Sequence, residues 1–181
     1  MSARRSPLGA AVPALALVFV VPPLGADAQS LSDPEIAHVA VTANAIDVET
    51  AQLALAQAQD AEVKAFARTM ITDHTAVNDQ AAALATRLGV TPEDNILSRS
   101  LRNDAKEARG KIDDLWGASF DRSYIAREVT YHEAVLKALD DVLIPQADNA
   151  ELKTLLQGVR PAIAAHLAHA QRISTALASE R

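Results

Sequence analysis

The sequence predicts an all-α fold, an antiparallel four-helix bundle made of two helical hairpins joined by a long, partly helical crossover. Apolar residues recur at helical spacing in four long segments. Only 6 glycines occur in 181 residues, and no alternating apolar run bounded by turn residues indicates a strand. A weaker helical segment separates the four long segments into two pairs, which is why a crossover is expected between two hairpins.

The first hairpin has clear signals at its helix ends. Asp33 is a good N-cap, Pro34 suits the first helical position, and the apolar period continues to about Gln59. Asp60 is predicted to cap a second helix, and Gly89 is a plausible end for it.

The second hairpin is predicted to follow a crossover segment at 95–117, which is only weakly amphipathic. A long helix is expected at 120–143, and Asn149 is predicted to cap a last helix at 150–178. Pro161 should kink that helix because it removes one backbone hydrogen bond and crowds the preceding turn. Two hairpins with one long connection form the topology of ferritin-like bundles.

Residues 1–28 are predicted to be a signal peptide. A basic stretch, "MSARRS", precedes an apolar stretch interrupted by prolines, and "ADA" then offers a cleavage site after Ala28. A retained membrane anchor is the alternative, but the uninterrupted apolar run is short for a membrane span. We therefore expect a periplasmic or secreted protein with no integral membrane segment after cleavage, and a helical-bundle domain at 29–181.

The charge and the composition exclude some classes of binding partner and of covalent modification. The net charge is −6, and it becomes −7 when residues 1–28, with two arginines and one aspartate, are removed. An acidic chain without a basic cluster is a poor candidate for nucleic-acid binding. The chain has no cysteine, so disulfides and a lipid-anchored cysteine are excluded. Oligomeric state does not follow from the sequence.

Polar residues interrupt the predicted inner faces of the helices. At 100° per residue, His74 and Glu128 lie at the centres of their apolar stripes, and His132 and His166 lie within theirs. Glu49 lies about 80° from the centre of its stripe, at the edge. When each hairpin is folded about its turn, these residues come to a shared depth.

A buried carboxylate is costly unless it is paired, hydrogen-bonded or metal-bound. Carboxylates and imidazoles around a bundle axis suit iron, manganese or zinc. The candidate metal ligands are therefore Glu49, His74, Glu128, His132 and His166. The alternative is a metal-free polar network, in which Glu128 pairs with a histidine and Tyr124 or Tyr131 donates a hydrogen bond.

Several other residues have simpler interpretations. We expect Asp73 on a solvated face, with orientation of a histidine as the alternative, and His169 at a boundary. Met70 and Trp116 are interpreted as packing groups. No Ser/His/Asp set, glycine-rich phosphate loop or cysteine nucleophile is visible, so the sequence favours a binding role over an enzymatic one.

Four pieces carry a family resemblance: "AIDVETAQLA", "VKAFARTMITDH", "FDRSYIAREVTYH" and "ELKTLLQGVRPAIAAHLAHAQ". In this order they resemble the exported bacterial ferritin-like proteins classed as domain of unknown function 4142, which are often labelled outer-membrane proteins. The resemblance implies a ferritin-like bundle in the cell envelope and no established reaction.

The residues also depart from the di-iron pattern. Di-iron bundles supply a Glu from two helices and a Glu-x-x-His from the other two. Here the helix with His166 has no carboxylate three residues earlier, and Glu128 is followed by a histidine after four residues. A single-metal site in a protein for metal handling or envelope stress protection is the main hypothesis. A metal-free structural or interaction module is the alternative, and a di-iron oxidase is disfavoured.

Overall fold

The computed structural model describes residues 30–179, and regular secondary structure in this range is helical throughout, with no strand. This confirms the predicted all-α class. The predicted signal peptide at 1–28 lies outside the described residues, as do the ends of the predicted domain at 29 and 180–181.

The first helix, α1, spans Asp33–Gln57. Its N-cap is Ser32, whose hydroxyl accepts the backbone N–H of Glu35 while the Glu35 carboxylate accepts the N–H of Ser32. The predicted cap, Asp33, is instead the first helical residue. Its carboxylate accepts the backbone N–H of Asn149 at 2.9 Å and so ties the start of α1 to the start of the last helix.

The second helix, α2, spans Ala61–Leu88, and both of its predicted boundary residues are confirmed. The Asp60 carboxylate accepts the N–H groups of the first turn. Gly89 has φ of 65°, a left-handed conformation that glycine adopts without steric cost, and it ends the helix.

Two further helices follow. The crossover segment forms α3, Ile96–Gly110, with Asn95 as its N-cap. The next helix, α4, spans Gly117–Ala138 and so begins three residues before the predicted start at 120. Gly117 has φ of 59°, and a Cβ there would lie 3.1 Å from Oε1 of Gln59. The left-handed backbone, which L side chains rarely adopt, favours a glycine at this position.

The C-terminal half differs from the simple prediction in one place. A π-helical turn, Leu139–Leu143, follows α4 and leads into the short α5, Ile144–Gln146. The side chain of Asn149 then caps α6, Ala150–Ser179, as predicted. Pro161 lies inside α6, and the helix continues through it.

Helix packing brings the four long helices together. The pairs in contact are α1 with α2, α4 with α6, α2 with α6 and α1 with α4, and α3 lies against α1. These contacts bury two apolar clusters. One contains Phe66, Met70, Tyr124 and Ala170, and the other contains Ile36, Leu84, Tyr131 and Ile163.

A layer of polar side chains separates the two apolar clusters. On each long helix a buried polar residue follows, in sequence, a residue of one cluster and precedes a residue of the other. These polar residues are Asp47, His74, Glu128 and His166, and His132 lies one turn after Glu128 on α4. His74, Glu128, His132 and His166 thus meet at a shared depth as expected, whereas the α1 residue at this depth is Asp47 and not the expected Glu49.

The surface of the described region shows one wrong prediction. Trp116, interpreted as a packing group, is 65% exposed just before α4, whereas Met70 is fully buried, in agreement with its interpretation as a packing group. Within residues 30–179, none of the helices combines the length and the apolar character needed to cross a membrane.

Candidate metal centre

All four long helices contribute side chains to one buried cluster. Asp47 comes from α1, His74 from α2, Glu128 and His132 from α4, and His166 from α6, and each is almost fully buried. The three histidines place one ring nitrogen each within 4.8 Å of one another, and Asp47, Glu128 and His132 do the same with one atom each. His132 belongs to both groups, so the two sets of ligand atoms form one continuous centre.

His74 is held from one side by α1. Its Nδ1 lies 2.8 Å from Oδ1 of Asn44, and in the tautomer with the proton on Nδ1 the ring N–H donates to that amide oxygen. In this tautomer the other nitrogen, Nε2, carries a lone pair. Nε2 lies 2.8 Å from Oδ2 of Asp47.

His132 is oriented by its own helix. Its Nδ1–H donates to the backbone carbonyl of Glu128 at 2.9 Å, one turn earlier. Its Nε2 is buried without a hydrogen-bond partner and lies 3.6 Å from Oδ2 of Asp47. Burial, which disfavours the charged ring, is the main reason that the pKa of His132 falls to about 4. The ring is therefore neutral at pH 7 and offers a free lone pair.

His166 completes the trio. Its Nε2–H donates to Oδ2 of Asp73 at 2.9 Å, and its Nδ1 is buried without a hydrogen-bond partner. Burial lowers the pKa of His166 as well. Asp73, expected on a solvated face, is indeed 45% exposed, yet it orients a histidine at the same time. The geometry therefore also supports the alternative interpretation of Asp73, in which it orients a histidine.

The two carboxylates are inequivalent. Burial and the charge of Asp47 raise the pKa of Glu128 well above its usual range, although Arg127 opposes this with a contact of 2.6 Å. Burial alone would raise the pKa of Asp47, but His74 and His132 more than offset this and lower it below its usual range. Both oxygens of Asp47 lack a hydrogen-bond donor.

Arg127 neutralises part of this charge. It is buried, contacts Glu128, and lies 4.9 Å from the centre of the Tyr131 ring. The guanidinium therefore contacts the carboxyl group of Glu128, whereas Asp47 has the imidazoles of His74 and His132 beside it. The tyrosines do not donate to Glu128: Tyr131 bonds the carbonyl of Ala43 at 2.7 Å, and the Tyr124 hydroxyl has no hydrogen-bond partner.

Four of the five residues proposed from the sequence meet in this cluster, namely His74, Glu128, His132 and His166. Glu49 does not, because it is exposed. The carboxylate that α1 contributes is Asp47, which the stripe of large apolar residues did not reveal. A weaker signal was present, since Asn44, Asp47, Ala51 and Ala54 follow one another at helical spacing and all are buried.

The donor set fits a particular class of metal. Imidazole nitrogens with one or two carboxylate oxygens suit iron, manganese and zinc, whereas calcium and magnesium prefer oxygen ligands alone. In metal sites the second nitrogen of a ligand histidine usually donates to a carbonyl or carboxylate, which fixes the ring. His74, His132 and His166 all show this arrangement.

The fold and the cluster define an all-helical protein with a buried group of histidines and carboxylates that could hold a metal ion. Residues 21–173 match the family described as Domain of unknown function (DUF4142), and the chain belongs to that family. This confirms the family that the four sequence pieces resembled. Comparisons with curated proteins and with solved structures give no match.

Proposed function

We propose that this protein binds one ion of iron, manganese or zinc at the centre of its helical core. The three histidines supply the nitrogen ligands, and Asp47, with Glu128 beside it, supplies carboxylate oxygen. The observation that carries the proposal is shared by all three rings. Each has one nitrogen engaged as a donor, and each keeps the other nitrogen buried and unpartnered.

Burial energetics support this proposal. A buried polar atom without a partner costs about 1–3 kcal/mol, and a buried charge costs more. The unpartnered atoms here include Nε2 of His74, Nε2 of His132 and both oxygens of Asp47. All belong to ligand types of one metal class, and a bound cation would satisfy them together.

The wider role that we propose is metal handling or envelope stress protection in the periplasm or outside the cell. Its support is the predicted signal peptide at 1–28 and a site that is almost closed to solvent. We further propose that α1, α2, α4 and α6 form a ferritin-like antiparallel four-helix bundle with α3 in the crossover, as their pairwise packing suggests.

The test begins with metal content. Protein purified without a histidine tag should contain about one equivalent of a first-row transition metal by mass spectrometry. After chelation, re-addition of the preferred ion among Fe(II), Mn(II) and Zn(II) should raise the melting temperature by roughly 5–10 °C at a hundredfold excess over Kd. Absence of bound metal together with no thermal shift for any of the three ions would overturn the proposal.

One pair of contacts favours a metal-free polar network instead. Arg127 already pairs with Glu128, and His74 lies close enough to Asp47 to donate a hydrogen bond if Asn44 presents its NH₂ group to Nδ1. In that case His74 carries its proton on Nε2. Nitrogen NMR of the imidazoles distinguishes the two functions, because a metal-ligating His74 carries its proton on Nδ1 and its Nε2 resonance responds to added metal.

A further inference from the structure

An apolar cavity of about 110 Å³ lies among the helices, on the side of the polar layer that faces the start of α1. Its lining is almost entirely aliphatic, and α1, α2, α3, α4 and α6 all contribute to it. Many of the lining positions on α1 and α2 are alanines, which leave space that leucine would fill. They include Ala37, Ala40, Ala43, Ala81 and Ala85.

The inner end of the cavity adjoins the candidate metal centre. Each long helix places a cavity-lining residue three positions from its nitrogen ligand or from Asp47. These lining residues are Asn44, Val77, Val135 and Ile163. Three residues correspond to about 4.5 Å along a helix, so the cavity begins roughly one turn from the ligands on every helix. Asn44 belongs to both features, because its side-chain oxygen also accepts the His74 N–H.

The cavity is elongated. On α1 its lining runs from Asn44 back to Asp33, a distance of about 16 Å along the helix axis. Polar lining residues occur at its two ends, Asn44 at the inner end and Asp33 with Asn149 at the outer end. The long middle section offers only hydrocarbon surface.

We infer that this cavity is a binding site for a small unbranched alkyl compound of about four carbons with at most one polar end, since an apolar cavity of roughly 150 Å³ binds the six carbons of benzene and this cavity is about three quarters of that size. Water is a poor occupant, because the middle of the cavity offers it no hydrogen-bond partner. An empty cavity also leaves its lining atoms without dispersion contacts, and an alkyl occupant restores them.

This site is independent of the proposed metal binding. Its apolar lining does not require an ion, and the metal ligands face the polar layer and not the hydrocarbon section. Loss of one function therefore leaves the other measurable, and metal content and alkyl binding are scored separately.

The experiment uses purified protein and 1-butanol as the probe, with glycerol as a polar control. Calorimetry should detect saturable binding of 1-butanol and none of glycerol. Ala81→Leu places a larger side chain in the cavity and should weaken 1-butanol binding by about tenfold, because it displaces roughly two methylenes of the probe. Ala82→Leu, the same change at an adjacent exposed position of α2, should bind 1-butanol like the wild type.

A second measurement uses the unaltered protein, so its result does not depend on whether Ala81→Leu folds. In methyl NMR, 1-butanol should shift the signals of Val77, Val135 and Ile163 and leave those of Ile125 and Ile173, in the other apolar cluster, in place. Absence of saturable binding, equal binding by the two leucine variants, or shifts spread evenly over both clusters would each overturn the inference.

Discussion

Nε2 of His74 lies 2.8 Å from Oδ2 of Asp47, and both side chains are buried. In the tautomer in which Nδ1 of His74 donates to Asn44, this contact brings an imidazole lone pair against a carboxylate oxygen. Two electron-rich atoms repel each other at that distance unless a proton or a cation lies between them. The relationship therefore makes Asp47, and not the neighbouring Glu49, the α1 residue on which metal binding should depend.

Asp47→Asn should reduce metal affinity by more than about 100-fold, since even residues that only orient a ligand typically contribute 10–100-fold. Competition with a chromophoric zinc or iron chelator measures the change. Glu49→Gln is the matched control, because it neutralises an exposed carboxylate two residues away on the same helix. Equal affinities for the two variants would exclude Asp47 as a ligand.

Asp73 should act as a positioning residue for His166. Asp73→Asn removes the carboxylate that fixes the ring, so affinity should fall by about 10–100-fold while one metal ion per chain is still bound at saturation. Glu62→Gln is a suitable control, because Glu62 is also an exposed acid of α2 near a histidine of α6, with its carboxylate 3.9 Å from Nε2 of His169. A loss as large in Glu62→Gln would point to general surface charge instead.

Arg127→Met should destabilise the metal-free protein by about 1–3 kcal/mol, because it leaves the buried carboxyl group of Glu128 without its hydrogen-bond donor. Urea unfolding in the presence of a chelator measures this. Adding Glu128→Gln should recover part of the lost free energy of unfolding, since the ionisable group that lost its partner is then gone. If the double variant is no more stable than Arg127→Met, the Arg127 side chain contributes mainly packing.

The metal-free protein should lose stability as the pH falls from about 6.5 to about 4, in part through His132. The folded ring has its pKa lowered to about 4, whereas the unfolded ring takes up a proton near pH 6.5. The neutral, buried ring of His132 therefore contributes its full stabilisation above about pH 6.5, and this stabilisation is lost as the pH falls towards about 4. Its size is of the order of 3 kcal/mol.

Comparison of the wild type with His132→Gln separates the pH dependence of stability that is due to His132 from the part that is due to Glu128. The difference in free energy of unfolding between wild type and variant should narrow as the pH falls through that window. Nitrogen NMR should show folded His132 neutral, with its proton on Nδ1, until about pH 4. A difference that does not vary with pH would contradict the lowered pKa.

Local chemistry explains why much of the fold could be predicted from the sequence. Asp60 and Gly89 mark helix ends through hydrogen bonds and a left-handed conformation that depend on few distant contacts. The stripes on α2, α4 and α6 are dominated by large apolar residues, so a polar residue inside them stands out. His74, Glu128 and His166 were found in this way.

Asp47 was not predicted as a candidate ligand, because α1 is buried over a wider arc than its large apolar residues indicate. It contacts α2, α3 and α4, and the additional buried positions hold small or polar residues such as Asn44, Ala51 and Ala54. A stripe drawn through isoleucine, valine and leucine therefore places Asp47 on one flank and Glu49 on the other, so the sequence does not indicate which of the two is buried. The packing of a third and a fourth helix against α1 buries Asp47 and leaves Glu49 exposed.

The predictions for Trp116 and for the start of α4 were wrong for a related reason. The structure starts α4 at Gly117, where the backbone approaches Gln59, and that contact is distant in sequence. With the helix starting there, Trp116 precedes the first turn and points its ring to the surface. Its size and apolar character alone predicted the opposite.

The π turn at Leu139–Leu143 has a consequence for comparing relatives of different lengths. The N–H of Ile144 bonds the carbonyl of Leu139, five residues earlier, so this turn accommodates one residue more than an ordinary helical turn. A homologue lacking one residue here can close the turn in the ordinary way and keep His132 opposite His166. Single-residue gaps at 139–143 should therefore be common among relatives that retain every candidate ligand, and they should not be taken as loss of the candidate centre.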